Sequence, residues 1–228
     1  MIKTVLLDLD DTIFDFHKAE KIALIKALKQ LNISTDEKIL ERYSQINAEQ
    51  WKLLEQGKLN RQEVKVCRYK LLFDEIGVDK SPRKATKIYE QNLAVGHYFI
   101  DRAEEMLKKL YKKYSLYIAS NGAVKIQKGR IESSGIEKYV KDIFISEAIG
   151  FNKPNIEFFN YCFSKIPDFK KDETVIIGDS ITSDIQGGKN AGIKTVWFNP
   201  KGIKNDSDII PDYEIKGFGE ICSLISKI

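Results

Sequence analysis

The feature that most constrains the fold is the alternation of strand-like and helix-like segments between residues 102 and 198. Short runs of β-branched and aliphatic residues, of which Thr174–Ile177 is the clearest, alternate with segments of helical periodicity. This alternation is typical of βα units, in which crossover helices join parallel strands. We therefore expect an α/β fold, with a Rossmann-like doubly wound parallel sheet as its core.

The pattern also predicts where the elements lie. Strands are expected at 116–119, 143–146, 174–177 and 195–198, and helices at 102–114, 124–133, 155–164 and 183–191. Ahead of them, the short aliphatic run Lys3–Leu7 predicts a buried strand with its carboxyl end at Asp8.

Between that first strand and the alternating region, the chain shows helical spacing alone. Apolar residues recur every three or four positions, and Gly57, Gly77 and Ser81-Pro82 break the pattern, which predicts three helices. The domain organisation expected is an α/β core formed by residues 1–16 and 99–228, with an all-helical cap domain at 17–98 inserted after the first strand.

Composition narrows the class of protein. The chain begins with only a short apolar run, which predicts neither a secretory leader nor a membrane span, so the default location is the cytoplasm. The net charge of +4 arises from basic residues interleaved with acidic ones, which disfavours a nucleic-acid polymer as partner. Cys67, Cys162 and Cys222 lack metal-binding or disulfide spacing. The sequence leaves the oligomeric state open.

Polar residues follow four of the predicted strands at the carboxyl ends, where open parallel sheets bind ligands. The segments are Asp8-Leu9-Asp10-Asp11-Thr12, Ser120-Asn121-Gly122, Lys153-Pro154 and Gly178-Asp179-Ser180. Acids, small hydroxyl and amide groups and one lysine are the groups that Mg²⁺ and a phosphoryl group require. Because clustered carboxylates repel one another without a cation, Asp8 and Asp179 are candidate ligands of Mg²⁺, for which Mn²⁺ can substitute.

Each residue type suggests a role in phosphoryl transfer. The carboxylate of Asp8 can attack phosphorus to form an aspartyl-phosphate, and Asp10 can then protonate the leaving oxygen and activate water. Lys153 would offset the charge of the transferring group, while Ser120 and Asn121 would bind its oxygens.

Three further residues complete the expected site. Thr12 is placed with the phosphate-binding residues, as the residue that fixes their loop. Asp184, about one helical turn beyond Asp179, would orient the metal waters or the lysine. Asp11 is interpreted as stabilising its loop, without a catalytic part.

In this order, the four motifs resemble those of the haloacid dehalogenase (HAD) superfamily of phosphohydrolases, and the helical insert resembles the cap of its subfamily I. The resemblance implies Mg²⁺-dependent hydrolysis of a small phosphomonoester through an aspartyl-phosphate. It also implies that the metal is held by the carboxylates of Asp8 and Asp179 and by the main-chain carbonyl of Asp10.

A narrower resemblance concerns the substrate. The segments 47–51, 55–58, 146–155 and 196–200, and Arg68 with Leu71-Leu72-Phe73, are similar to those of the YjjG/YfnB-type pyrimidine 5'-nucleotidases. This resemblance implies UMP, dUMP or dTMP as substrate. Trp51, Phe14, His17 and Arg68 are then candidates to contact the nucleotide, because aromatic faces stack on bases and Arg binds phosphate or carbonyl oxygens. An aromatic residue in an amphipathic helix is more often part of the core.

Other functions stay open at this stage. A HAD phosphatase of sugar phosphates or other small phosphoesters, and a phosphomutase, would keep all four motifs. A dehalogenase has no leaving alkoxide to protonate, so Asp10 argues against it. Outside the enzymes, a phospho-accepting signalling domain would be shorter and lack the insert, and a catalytically silent interaction protein would have no use for the clustered acids.

Overall fold

Six short runs of mainly β-branched, aliphatic and aromatic residues form one sheet in the computed structural model, which describes residues 1–228 apart from the side chain of Glu55. The strands are β1 (Thr4–Leu7), β2 (Ser115–Ser120), β3 (Asp142–Ile145), β4 (Thr174–Gly178), β5 (Lys194–Phe198) and β6 (Tyr213–Ile215). Their order is β3-β2-β1-β4-β5-β6, and all neighbours are parallel. The predicted doubly wound parallel sheet is confirmed.

Ten α-helices accompany the sheet: α1 (Phe16–Gln30), α2 (Glu37–Glu55), α3 (Arg61–Glu75), α4 (Pro82–Leu93), α5 (Ala103–Leu110), α6 (Val124–Ser134), α7 (Ser146–Ile149), α8 (Ile156–Lys165), α9 (Gln186–Ala191) and α10 (Ile221–Ile225). A π-helical segment, Ile181–Ile185, leads from the loop after β4 into α9. Among the described residues, no helix is both long and apolar enough to cross a membrane.

The side chains of β1 are buried on both faces of the sheet. Val5 and Leu7 belong to a core layer that also contains buried residues of α5 and α10. Leu6 faces the opposite layer, with buried residues of α8 and α9. Helices therefore cover both faces, which is why the strands are continuously apolar and not alternating.

The chain divides into two compact units, one formed by Met1–Phe16 with His97–Ile228 and the other by His17–Gly96. The first holds the sheet and α5–α10, and the second holds α1, from its second residue onward, with α2, α3 and α4. The sequence pattern places the second boundary two residues later, after residue 98.

Four elements, α4, α7, β6 and α10, are missing from the sequence prediction. Ser81-Pro82 was interpreted as a break, but the Ser81 hydroxyl caps α4 and Pro82 occupies its first turn, so the pair begins a helix. β6 has only three residues, α7 only four and α10 only five, which is too short for any of them to show a clear period.

Candidate active site

Asp8 lies directly beyond β1 at the point where the strand order reverses. Its N–H donates to the carbonyl of Ile177 at 2.9 Å, so pairing between β1 and β4 extends to this residue. Ligands of doubly wound sheets bind at such a switch point, between the carboxyl ends of the two central strands. The nucleophile predicted from the sequence therefore lies where the fold places reactive groups.

A tight loop after Asp8 turns the chain back toward α1. Asp11 adopts a left-handed conformation, with φ of 56°, and its Oδ1 accepts from the N–H of Phe16 at 2.9 Å. This contact holds the first turn of α1 and agrees with the loop-stabilising role interpreted for Asp11. Asp10, just before it, is left with a partly exposed carboxylate.

Lys153 is the centre of the buried charges. Its ammonium donates to Oδ1 of Asp8 at 2.6 Å, to Oδ1 of Asp184 at 2.6 Å and to the carbonyl of Ala119 at 2.5 Å. Burial opposes a charged lysine, but the attraction of Asp184 and Asp8 outweighs it and raises the pKa of Lys153. The lysine is therefore a fixed cation beside Asp8.

The acids form a cluster at the same point. Oxygens of Asp8, Asp179 and Asp184 all lie within 4.8 Å of one another. Burial raises the pKa of Asp8 despite the opposing Lys153, and burial with repulsion from Asp184 and Asp11 raises the pKa of Asp179 to about 7. Such a cluster costs free energy unless a cation joins it.

The donor set fits a hard divalent ion. Mg²⁺ takes one or two protein carboxylates and further oxygen ligands, and the clustered carboxylates supply those oxygens. Both oxygens of Asp184 already accept hydrogen bonds, from Lys153 and from the N–H of Ser180 at 3.1 Å. Asp8 and Asp179 are therefore the residues better suited to ligate the ion directly.

Thr12 does not lie where the sequence suggested. The sequence groups it with the phosphate-binding residues, but it is fully buried and both of its side-chain hydrogen bonds go to Asp179. Its hydroxyl donates to Oδ1 of Asp179 at 3.2 Å and accepts from the N–H of Asp179 at 3.1 Å. Thr12 therefore orients a candidate metal ligand.

Asn121 also differs from the expectation that its side chain binds phosphate. Its amide oxygen accepts from the N–H of Lys153 at 2.8 Å, and its amide nitrogen donates to the carbonyl of Lys153 at 2.9 Å and to Ser183 at 3.2 Å. These contacts hold the loop that carries the lysine. The side chain of Asn121 therefore positions the backbone of Lys153.

Ser120, predicted to bind phosphate, has a buried hydroxyl held from two sides. Its buried hydroxyl oxygen accepts from the N–H of Gly122 at 3.1 Å and from Nε2 of Gln127 at 2.9 Å. With both lone pairs used in this way, the O–H hydrogen is the part of the group that can donate to a ligand oxygen.

Two residues of α6 were missed by the sequence interpretation. Nη1 of Arg130 donates to Oδ1 of Asp10, and Nε2 of Gln127 donates to Oδ2 of Asp10 at 2.5 Å. Both side chains are buried although they are polar. Gln127 and Arg130 lie on the same face of α6 as the buried Ile131, at the spacing of an apolar stripe. Polar residues at such positions are a sequence signal that could have identified them.

Phe14 is not placed for stacking on a ligand. Its ring is fully buried and packs edge-on against Phe99, with a centroid separation of 5.2 Å. It belongs to the core of the sheet-containing unit, so the interpretation of Phe14 as a substrate contact is replaced by a structural one. His17, in contrast, is exposed and lines a cavity of about 210 Å³ together with residues of α1 and α2.

Arg68 lies inside the helical unit. It is 3% exposed, its Nη1 donates to Oδ1 of Asn47 at 2.9 Å, and its guanidinium lies 4.6 Å from the ring centroid of Tyr89. This is the environment of a core residue, so Arg68 stabilises the helices and is not presented to a ligand.

Trp51 is half-buried and held along one edge. Its indole N–H donates to Oδ1 of Asn47 at 3.1 Å, and the guanidinium of Arg61 lies 6.0 Å from its ring centroid. Asn47 in turn donates to Glu20 at 2.7 Å. Of the four proposed cap contacts, Trp51 and His17 keep accessible surface.

The fold and the site together define the class of protein: an α/β chain with a Rossmann-like sheet whose acids and buried lysine meet at the carboxyl ends of β1 and β4. The family model of the haloacid dehalogenase-like hydrolases matches residues 5–198, and the chain belongs to that family. The resemblance drawn from the four motifs is confirmed.

Individual relatives cover nearly the whole chain. YfnB of Bacillus subtilis is 40% identical over 98% of this chain and 95% of its own length. Pyrimidine 5'-nucleotidase PynA of Streptococcus pneumoniae is 36% identical over 99% of this chain and 95% of its own. Pyrimidine 5'-nucleotidase YjjG of Escherichia coli is 23% identical over 98% and 97%.

The same relationship holds in three dimensions. A crystal structure of Bacillus subtilis YfnB bound to magnesium superimposes with a TM-score of 0.94, at 40% identity and over 98% of each chain. The fold, including the helical insert, is therefore that of a HAD hydrolase.

Proposed function

We propose that this chain is a Mg²⁺-dependent phosphomonoesterase that acts through an aspartyl-phosphate at Asp8, and that its substrates are pyrimidine nucleoside 5'-monophosphates such as UMP, dUMP and dTMP. The observation that carries the proposal is the contact of one buried lysine with both Asp8 and Asp184 beside Asp179. A fixed cation next to a carboxylate nucleophile is what a transferring phosphoryl group requires.

In the first step, an oxygen of Asp8 attacks phosphorus while the bond to the leaving oxygen breaks, and Asp10 gives its proton to that oxygen. In the second step, Asp10 takes a proton from water, whose oxygen displaces the carboxylate of Asp8 and releases inorganic phosphate. Lys153 stays charged throughout and offsets negative charge on the phosphoryl group, to which the Ser120 hydroxyl donates.

Asp8, Asp179 and the main-chain carbonyl of Asp10 would hold the metal, with Asp184 and Thr12 orienting the ligands around it. When bound, Mg²⁺ supplies positive charge that lets the carboxylate and the phosphoryl group approach each other. The binding of magnesium by YfnB, at 40% identity, supports this part of the proposal.

The substrate class is supported by a relative: the pyrimidine 5'-nucleotidase PynA is 36% identical over nearly the full chain. Within the helical unit, the half-buried Trp51 ring offers a surface on which a base can stack.

A panel assay tests the proposal. Phosphate release is measured from UMP, dUMP, dTMP, AMP, ribose 5-phosphate and glucose 6-phosphate, with Mg²⁺ or with EDTA. We expect Mg²⁺-dependent release that is fastest for the pyrimidine nucleotides. Equal rates for hexose phosphate and UMP would remove the nucleotidase assignment, and conversion of a sugar phosphate to its isomer without phosphate release would identify a mutase.

A further inference from the structure

Both oxygens of Asp10 are held by side chains of α6. Oδ1 accepts from Nη1 of Arg130, and Oδ2 accepts from Nε2 of Gln127 at 2.5 Å. Nη1 of Arg130 also donates to Oε1 of Gln127 at 3.0 Å, which ties the two holding groups together. The carboxylate that the proposed mechanism uses as acid and base is therefore fixed at two points from one helix.

The burial of Arg130 shows that this contact is a built feature of the fold. Its side chain is 0% exposed, and its guanidinium lies 5.2 Å from the ring centroid of Phe14 and 5.8 Å from that of Phe16. A buried guanidinium costs several kcal/mol unless it is paired with an anion. Asp10 supplies that anion, across 120 positions of the chain.

The loop after β2 is shaped to admit Gln127. A Cβ on Gly122 would lie 2.2 Å from Nε2 of Gln127, so any larger residue there would displace the amide. Nε2 also donates to Oγ of Ser120 at 2.9 Å. Gln127 thus joins Asp10 to the hydroxyl that faces the phosphoryl group in the proposed mechanism.

We propose that Arg130 and Gln127 are positioning residues for Asp10, an inference that rests on the proposed phosphatase function. Arg130 anchors Oδ1 throughout turnover, because its bond is charge-assisted and the stronger of the two. Gln127 releases Oδ2, the oxygen that exchanges the proton. As the Asp8 oxygen bonds to phosphorus and the bond to the leaving oxygen breaks, the proton passes from Oδ2 to that oxygen, and Arg130 stabilises the carboxylate left behind.

Comparing substrates with different leaving groups distinguishes a positioning role of Arg130 and Gln127 from a purely structural one. An alkyl leaving oxygen, as in UMP, needs the proton of Asp10, whereas nitrophenolate leaves p-nitrophenyl phosphate without one. The quantity measured is kcat/KM, which reports the steps up to the first irreversible one. We expect Arg130→Met to lower kcat/KM about a hundredfold for UMP but no more than about threefold for p-nitrophenyl phosphate.

Matched variants sharpen the test. Arg130→Lys keeps the charge and should recover part of the kcat/KM for UMP. Gln127→Leu should lower kcat/KM for UMP about tenfold more than for p-nitrophenyl phosphate, a smaller split between the two esters than that of Arg130→Met. In the Asp10→Asn variant, adding Arg130→Met should lower kcat/KM for UMP little further, because the carboxylate that Arg130 positions is already absent. Equal losses on both esters, or full additivity with Asp10→Asn, would overturn the inference.

Three further outcomes are distinguished. If circular dichroism shows that Arg130→Met does not fold, the split is read from Gln127→Leu and from Gly122→Ala, which displaces the same amide, and an absent split in both variants overturns the inference. If UMP proves a poor substrate, the alkyl ester that the wild-type enzyme hydrolyses fastest replaces it. A wild-type enzyme that hydrolyses neither ester class contradicts the proposed function itself, independently of any variant.

Discussion

The ammonium of Lys153 lies 2.6 Å from Oδ1 of Asp8, inside the protein, and it makes a second bond of the same length to Asp184. One side chain, from the loop between α7 and α8, therefore joins the end of β1 to the π-helical segment that follows β4. This contact fixes the carboxylate of Asp8, the proposed nucleophile.

The first prediction concerns that lysine. Lys153→Met leaves two buried carboxylates without their cation, so the free energy of unfolding in EDTA should fall by about 3 to 5 kcal/mol. Activity should fall at least about a hundredfold. Urea unfolding and phosphate release measure the two effects. Lys170→Met, at a lysine that is 60% exposed, serves as control and should change neither; an unchanged stability of Lys153→Met would contradict the account.

The second prediction is a pH dependence of the metal-free protein. Burial and the neighbouring Asp184 and Asp11 raise the pKa of Asp179 to about 7 from an ordinary value of 3.8. Between those values the folded chain binds more protons than the unfolded chain, so this group makes the free energy of unfolding fall as pH rises. In EDTA, the wild-type protein should lose stability between about pH 5 and pH 7.5 relative to Asp179→Asn.

Magnesium should reverse that trend, because it binds the deprotonated carboxylates. Thermal unfolding with Mg²⁺ and with EDTA, at both pH values, measures the effect. The stabilisation by Mg²⁺ should be larger at the higher pH and should nearly vanish in Asp179→Asn. Equal stabilisation of wild-type protein and variant would rule out Asp179 as a ligand.

The third prediction concerns Thr12, which contacts Asp179 and not a phosphate group. Thr12→Val removes the hydroxyl at constant shape, and loss of such a ligand-orienting contact typically weakens metal affinity by about 10- to 100-fold. The Mg²⁺ concentration for half-maximal activity should rise by that factor, while kcat at saturating Mg²⁺ stays near the wild-type value. Thr12→Ser retains the hydroxyl and should behave as wild type. A loss of kcat that excess Mg²⁺ does not restore would contradict this role.

The fourth prediction concerns Trp51. If its ring stacks on the base, Trp51→Ala should lower kcat/KM for UMP by a factor of about 10 to 100, since base stacking contributes about 1 to 3 kcal/mol. The rate with ribose 5-phosphate, which has no base, should stay the same. Tyr111→Ala, at an exposed aromatic of the other unit, is the control; equal losses on both substrates would exclude stacking.

The sheet and the cluster of acids with Lys153 could be predicted because two independent signals agree. The period of the apolar residues defined five of the six strands, and the polar residues followed the strand ends where a parallel sheet binds ligands. Asp8, Lys153, Asp179 and Asp184 are thus brought together by topology alone, from segments distant in the chain.

The partners of individual side chains could not be predicted in the same way. The sequence does not show that the amide of Asn121 turns to the backbone of Lys153, because that depends on how two loops meet. Phe14 and Arg68 carry the residue types of a binding surface, but their burial is decided by tertiary packing. Arg130 was overlooked since a single arginine on a helix is usually solvated; its spacing from Gln127 and Ile131 hints at a buried position, but its contact with Asp10 is visible only in the structure.

The central claim is that Asp8 is the nucleophile of a metal-dependent phosphatase, and phosphate release by Asp8→Asn tests it most directly. Wild-type protein and Asp8→Asn are assayed on UMP with Mg²⁺ and with EDTA, and circular dichroism confirms that the variant is folded. The account predicts release by the wild-type protein with Mg²⁺ alone, and none by folded Asp8→Asn in either condition. Sustained turnover by Asp8→Asn, or undiminished wild-type activity in EDTA, would contradict it.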